Sequence, residues 1–181
     1  AVTRGDGYRG EDVTYNAKYV RDVPTYISHK GKIEIRGEVV IPKAKFEELN
    51  LKRIENNLPT FSNPRNLASG SIRVKNENIE DRWLTFVPWG IGYNELNIDT
   101  YDEQLTWLKE NGFTYDSYGK VVNENDVLER CSLLEEHRDD LKYQLDGAVI
   151  KVNNIKDYKG LGYTEKYPKG IVAFKFKAVE V

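Results

Sequence analysis

The 181-residue sequence is short of several residue types on which common functional sites depend. It has no methionine, one cysteine and two histidines, His29 and His137. The single cysteine, Cys131, excludes an internal disulfide and a zinc site built from cysteines, and two histidines argue against a histidine-rich metal site. No run of about 18 apolar residues occurs, which excludes a transmembrane helix of ordinary length. The HExxH, P-loop and GxSxG motifs are also absent.

What is present is typical of a folded domain. Hydrophobic residues make up 39% and aromatic residues 12%, enough for a core and against disorder. The net charge of -2 argues against a simple cationic nucleic-acid binder, but this value is the sum of charges that are distributed unevenly along the chain. Lys+Arg minus Asp+Glu is 14 - 9 = +5 over residues 1–75, 6 - 17 = -11 over 76–150 and 7 - 3 = +4 over 151–181. Two basic segments therefore flank an acidic one. The simplest interpretation of the acidic residues is that they lie on the solvated faces of helices.

Hydrophobic periodicity predicts several helices flanked by short strands. The 3.6-residue pattern predicts helices over 11–22, 43–51, 100–111 and 125–141, the last with Leu128 and Cys131 buried. Alternation predicts strands over 32–41, 146–153 and 171–177, and a strand over 84–93 interrupted by Pro88 and Gly90. The prolines, asparagines and glycine of 57–72 predict a structured loop. The fold class predicted from this order is α+β.

Two lysines lie inside apolar strands, where an unpaired ammonium is costly. Lys151 lies in DGAVIKVN and Lys175 in IVAFKFK. Either lysine alone is explained by an edge strand on which the side chain reaches water. Two such lysines, together with Arg36 and Glu38 on one face of the strand at 32–41, weaken the edge-strand explanation and favour anionic partners for the ammonium groups.

Two arginines form a second candidate site, one within the polar segment 57–72 and the other directly after it. Arg65 lies in NPRN and Arg73 follows eight residues later in SGSIR. Guanidinium groups and backbone amides in such a segment can bind phosphates, although a solvent-exposed loop is the simpler alternative.

Six segments, in order along nearly the whole chain, resemble the adenylation domain of bacterial NAD-dependent DNA ligases. They are TRGDGYRGEDVT (3–14), EIRGEVVIPKAKFEELN (34–50), FSNPRNLASGSIR (61–73), RWLTFVPWGIG (82–92), LDGAVIKVN (145–153) and LGYTEKYPKGIVAFKFKA (161–178). The resemblance implies that residues 1–181 are a partial adenylation domain. The implied fold is the nucleotidyltransferase fold, with antiparallel sheets flanked by helices and the nucleotide between them. The sequence departs from the family at Gly170, where tryptophan is common, and at Lys177, where proline is usual.

The resemblance also implies roles for individual residues. Those assigned to the adenylate are Arg4 at the ribose and phosphate, Glu38 at the ribose hydroxyl, Trp89 stacked on adenine, and Lys151 and Lys175 at the α-phosphate. Asp146 is assigned to the metal or to Lys151. Phosphate or DNA contacts are assigned to Arg65, Arg73 and Arg138.

The implied reaction is nick sealing in the cytoplasm. A lysine attacks the α-phosphate of NAD, AMP passes to a DNA 5′-phosphate, and Mg²⁺ or Mn²⁺ assists. The implied partners are nicked double-stranded DNA and further domains of the same ligase, in a monomer without membrane contact. The family's nucleophile lies in a Lys-x-Asp-Gly motif, which this sequence does not contain. We therefore expect that the sequence starts after that motif and that the isolated chain forms no covalent adenylate.

Two alternatives stay open at this point. One is an ATP-dependent ligase or capping-type nucleotidyltransferase, against which the TRGDG and NPRN segments argue. The other is a non-catalytic nucleotide- or DNA-binding module that retains the cleft without the nucleophilic lysine.

Overall fold

The computed structural model describes residues 1–75, 79–114 and 118–177. Residues 76–78, 115–117 and 178–181 of the predicted 1–181 domain lie outside the described residues. Helices and strands are interspersed along the described chain, as the sequence predicts. They are α1 Thr14–Ala17, β1 Ile35–Val40, α2 Lys43–Glu55, α3 Pro64–Ser71, β2 Thr85–Ile91, α4 Tyr101–Glu110, α5 Val127–Glu136, β3 Gly147–Lys151, α6 Ile155–Gly160 and β4 Ile171–Lys175. In the described residues, no helix has the length and apolar character needed to span a membrane.

Strands β1 and β2 form a two-stranded antiparallel sheet with one irregularity. Arg36 pairs with Gly90 and Gly37 pairs with Pro88, so Trp89 between them has no partner and forms a β-bulge. A bulge redirects the side chain of the extra residue, and it also admits a proline that a regular ladder would exclude. The predicted interruption of this strand at Pro88 and Gly90 is therefore wrong, because the bulge lets β2 run through both residues.

Strands β3 and β4 form a second antiparallel pair, whose register brings the two predicted lysines together. Gly147 pairs with Lys175 and Lys151 pairs with Ile171. Directly paired residues point to the same face, and residues two apart along a strand share that face. Lys151 and Lys175 therefore lie on one face, at opposite ends of the hairpin-like pair.

Three helices differ most from the sequence-based expectation, while α2 runs to Glu55 rather than to residue 51 and α5 covers Val127–Glu136 rather than 125–141. The helix predicted over 11–22 is confined to α1, because Arg21 leaves the helix to bridge Thr85 of β2 and Asp22 adopts a φ of 64°. The predicted loop at 57–72 contains α3, which begins where the Asn63 side chain accepts from the amide of Asn66 and Pro64 occupies the first turn. Helix α6 was not predicted, and Asn154 caps its first turn in the same way.

The core of the described residues consists of two clusters, and Phe86 of β2 packs against both. The larger packs α3 and the ends of β1 and β2 against the N-terminal segment, and its buried members are Val13, Val20, Ile41, Leu67, Ala68, Ile72, Ile79 and Leu84. The smaller joins Ile91 to Leu108 of α4 and to Phe113. Cys131 is buried as predicted, whereas Leu128 is 67% exposed and its predicted burial is wrong because α5 turns that side chain to solvent. Helix α3 packs against β1, and α4 packs against β2.

Candidate functional site

A cavity of about 480 Å³ lies between the two small sheets. Its walls come from β1 and β2 on one side, from β3 and β4 on the other, and from the first turn of α3. Five of the residues predicted to form the site line it: Glu38, Arg65, Trp89, Asp146 and Lys175. The pairing registers of two separate sheets thus bring together side chains that are up to 137 positions apart in the sequence.

Arg65 links the two carboxylates of the cavity. Its Nη1 lies 3.1 Å from Asp146 Oδ2, and its Nη2 lies 3.4 Å from Glu38 Oε1. All three side chains are more than half exposed, so water screens these ion pairs. Arg65 reaches both carboxylates because it lies in the first turn of α3, which packs against β1. The guanidinium fork suits such a bridge, because it presents several N–H donors in one plane.

Trp89 projects its ring into the cavity from the bulge in β2. The side chain is 52% exposed although its strand neighbours Pro88 and Gly90 are buried. Glycine at position 37, opposite the bulge, is required by the packing, since a Cβ there would lie 2.4 Å from Phe86 Cζ. An exposed aromatic face on a rigid strand is a suitable surface for stacking a planar base.

Lys151 lies beside Trp89, just outside the residues that line the cavity. Its Nζ is 5.7 Å from the centre of a Trp89 ring and 4.1 Å from the centre of the Tyr101 ring. Burial lowers the pKa of the Lys151 ammonium from its ordinary value. Lys151 and Lys175 together provide two cations on the face of the β3–β4 pair that carries the cavity wall.

Three predicted arginines are not brought to this cavity. Arg73 pairs with Glu11, with 3.3 Å between Nε and Oε2, and Arg138 donates from Nη1 to the carbonyl oxygen of Lys177 at 2.6 Å. Arg4 lies in an exposed loop that does not contribute to the lining. The roles of these arginines at the ribose, at phosphate or on DNA stay predictions.

The loop that carries Arg4 is nevertheless well ordered by hydrogen bonds. The Asp6 carboxylate accepts from the amides of Tyr8 and Arg9 at 2.8 and 2.7 Å, and these bonds, led by that of Arg9, lower the pKa of Asp6. Gly5 adopts a φ of 54° and a Cβ there would lie 1.8 Å from the Arg9 carbonyl oxygen, so glycine is required. Arg4 is thereby presented on a loop of fixed shape.

Sequence reasoning missed several residues that the structure places at the site. Asn66, Tyr118 and Tyr143 line the cavity, and Tyr101 covers Lys151. Tyr101 falls within the helix predicted over 100–111, but nothing in the sequence indicates that it would meet a strand 50 residues later. Contacts of this kind depend on how α4 docks, which periodicity alone does not determine.

The carboxylates of the cavity are compatible with a divalent cation held jointly with a ligand. Within the described residues, no group of three or more His, Cys, Asp or Glu side chains is clustered for metal binding. Mg²⁺, however, commonly binds through one or two carboxylates together with substrate phosphates and water. Glu38 and Asp146, held near each other by Arg65, provide a donor set of that kind.

The fold and the site define an α+β domain with a cavity that combines an aromatic face, two carboxylates and several cations. The model of the NAD-dependent DNA ligase adenylation domain family matches residues 1–179, and the chain belongs to this family. It is 44% identical over 181 residues to a DNA ligase of Campylobacter concisus, 46% identical to one of Campylobacter lari, and 45% identical over 182 residues to one of Helicobacter pylori. Each of these matches covers 99% of the chain but only 28% of the relative.

Proposed function

We propose that the cavity binds the AMP moiety of NAD, and that the chain is the adenylation part of a ligase that seals nicks in DNA. The observation that carries the proposal is the meeting of Trp89, Glu38 and Lys175 in one cavity with Lys151 beside it. These four side chains match in kind an aromatic base, a ribose and a phosphate, with two lysines for the phosphate. Membership of the ligase adenylation family supports the same proposal.

Each part of the adenylate has a matching side chain. Adenine stacks on the exposed face of Trp89, which the bulge holds in place. Glu38, on β1, accepts a hydrogen bond from a ribose hydroxyl. Lys175 and Lys151 bind the α-phosphate, where their fixed positive charge stabilises the negative charge that develops on the phosphoryl oxygens during transfer. The nucleotidyltransferase fold that we propose places the nucleotide between the two sheets in this manner.

The covalent step needs a nucleophile that this sequence does not supply. We propose that a lysine elsewhere in the longer protein attacks the α-phosphate, so that a P–N bond forms and nicotinamide mononucleotide leaves with the bridging oxygen. AMP then passes to a DNA 5′-phosphate, and the 3′-hydroxyl at the nick displaces it. A divalent cation held by Asp146, Glu38 and the phosphates would neutralise charge on the phosphoryl oxygens.

The partners follow from the same proposal. Nicked double-stranded DNA is the substrate, and the remaining domains of the ligase, acting as a monomer in the cytoplasm, hold it against the site. Arg65, at the mouth of the cavity, is the arginine best placed to meet a second phosphate. Arg4, Arg73 and Arg138 lie on other surfaces, where DNA backbone contacts are the role we propose for them.

Adenylation of the full-length protein tests the proposal directly. The protein is incubated with Mg²⁺ and either NAD or ATP labelled in the adenylate phosphate. We expect covalent label from NAD and none from ATP, whereas label from ATP alone would indicate an ATP-dependent nucleotidyltransferase. The 181-residue chain is the matched control and should stay unlabelled with either donor. If the full-length protein takes label from neither donor but the chain binds AMP, the site is a non-catalytic nucleotide-binding module.

A further inference from the structure

Two aromatic rings lie beside the Lys151 ammonium, and no carboxylate of the described residues pairs with it. Nζ lies 4.1 Å from the centre of the Tyr101 ring and 5.7 Å from that of Trp89. Among residues 1–75, 79–114 and 118–177, Lys151 forms no ion pair with an acidic side chain. An aromatic face attracts a cation through its quadrupole without carrying a net negative charge. The charge of Lys151 therefore stays available for an anionic ligand.

The Tyr101 ring is held rigidly over Lys151 by the attachment of α4 to the end of β3. The amide of Tyr101 donates to the carbonyl oxygen of Asn153 at 3.0 Å, and the amide of Asp102 donates to the Asn153 side-chain oxygen at 3.0 Å. Asn153 follows Lys151 by two residues, so the ring and the ammonium are fixed to the same short segment. Thr100 and Glu103 close a capping box at the same helix end.

A second tyrosine supports Tyr101 from behind. The ring of Tyr158, on α6, meets the Tyr101 ring edge to face, with centres 5.4 Å apart and planes at 82°. Tyr158 in turn occupies the space above Gly170, where a Cβ would lie 2.5 Å from its Cδ2. Gly170 thus makes room for Tyr158, Tyr158 abuts Tyr101, and Tyr101 covers Lys151.

We propose that Tyr101 is a positioning residue for Lys151: its ring face holds the ammonium beside Trp89 with its charge uncompensated, ready for the phosphate of the adenylate. This inference rests on the proposed function, because it takes AMP as the ligand of the cavity. Burial lowers the pKa of Lys151, and burial also raises the pKa of the Tyr101 hydroxyl, with smaller contributions from Tyr158 and Tyr163. The neutral phenol therefore offers its ring to the cation at physiological pH.

The test compares AMP with adenosine, which lacks only the phosphate, by titration calorimetry on the chain. In Tyr101→Leu we expect AMP to bind about fivefold more weakly, the effect of losing one cation–π contact, with adenosine unchanged. Tyr101→Phe retains the ring and should bind both ligands as the unaltered chain does. Equal weakening of AMP and adenosine in Tyr101→Leu, or no weakening of AMP, would overturn the proposal.

An NMR measurement tests the contact between Lys151 and Tyr101 in the absence of any ligand. The lysine ε-CH₂ NMR signal of Lys151, assigned with Lys151→Arg, should be shifted upfield by the ring current of Tyr101. The shift should persist in Tyr101→Phe, fall to the part due to the Trp89 ring in Tyr101→Leu, and diminish in Gly170→Ala, whose added Cβ displaces Tyr158. Gly160→Ala, in α6 with no atom near its Cβ, is the matched control. If the chain binds neither ligand, the proposed function fails, and this signal alone decides the role of Tyr101: an unchanged shift in Tyr101→Leu rejects it.

Discussion

Arg65 contacts Asp146 with 3.1 Å between Nη1 and Oδ2, and this ion pair connects the first turn of α3 to the turn that precedes β3. The same guanidinium reaches Glu38 on β1, so one side chain spans three walls of the cavity. Loss of this bridge should therefore change the geometry of the site more than it changes the free energy of unfolding of the protein.

Replacing Arg65 separates the effect of the bridge on ligand binding from its effect on the stability of the protein. Arg65→Ala removes a cation and leaves two neighbouring carboxylates that repel a phosphate, so we expect AMP to bind about tenfold more weakly. The free energy of unfolding should fall by less than about 1 kcal/mol, because the ion pairs are exposed. Arg65→Lys retains the charge but cannot bridge both carboxylates, and should give an intermediate affinity. Calorimetry with AMP and urea denaturation measure the two quantities. Unchanged AMP affinity in Arg65→Ala would contradict the bridging role.

Gly37 provides a test of the bulge that directs Trp89. A Cβ at Gly37 would lie 2.4 Å from Phe86 Cζ and 2.6 Å from the Val87 carbonyl oxygen, so Gly37→Ala forces the two strands apart. We expect a loss of about 1–3 kcal/mol in the free energy of unfolding, with weaker AMP binding. Gly70→Ala in α3, where nothing lies near the added Cβ, should instead stabilise by about 0.5–1 kcal/mol. Equal stabilities of the two variants would refute this account of the bulge.

Glu48 on α2 provides a prediction on pH. Hydrogen bonds from Lys45 first, and then from Lys52, lower the pKa of the Glu48 carboxyl to about 2. A folded-state pKa below the unfolded one stabilises the protein above about pH 4.5, and this stabilisation disappears as the pH falls towards 2. Glu48→Gln should therefore be slightly less stable than the unaltered chain at pH 7 and equally stable near pH 2, as measured by denaturant unfolding across that range.

The size of this effect is limited by exposure, and salt should reduce it further. Glu47→Gln is the matched control, because Glu47 is the adjacent residue on α2 and forms no ion pair within the described residues. A Glu48→Gln difference that stays constant from pH 7 to pH 2 would show that packing rather than charge is responsible.

The elements of the fold were largely predictable from the sequence, but their assembly into a site was not. Alternation placed Lys151 and Lys175 in strands, since each strand's face can be determined from its own residues. Their common face depends on the β3–β4 register, which neither strand specifies alone. The bulge at Trp89 likewise exists only in the pairing with β1. Helix α3 was missed because its asparagines and prolines were interpreted as loop residues, although Asn63–Pro64 is a capping signal.

The central claim is that the cations of the β3–β4 pair stabilise the adenylate during transfer. Single-turnover formation of the covalent adenylate from NAD, in the full-length protein, tests it most directly. Lys175→Ala should slow this step about a hundredfold, the effect of losing one preorganised charge contact at the phosphate. Lys177→Ala, two residues further along and outside the cavity lining, should react at the unaltered rate. A Lys175→Ala rate close to that of the unaltered protein would contradict the account.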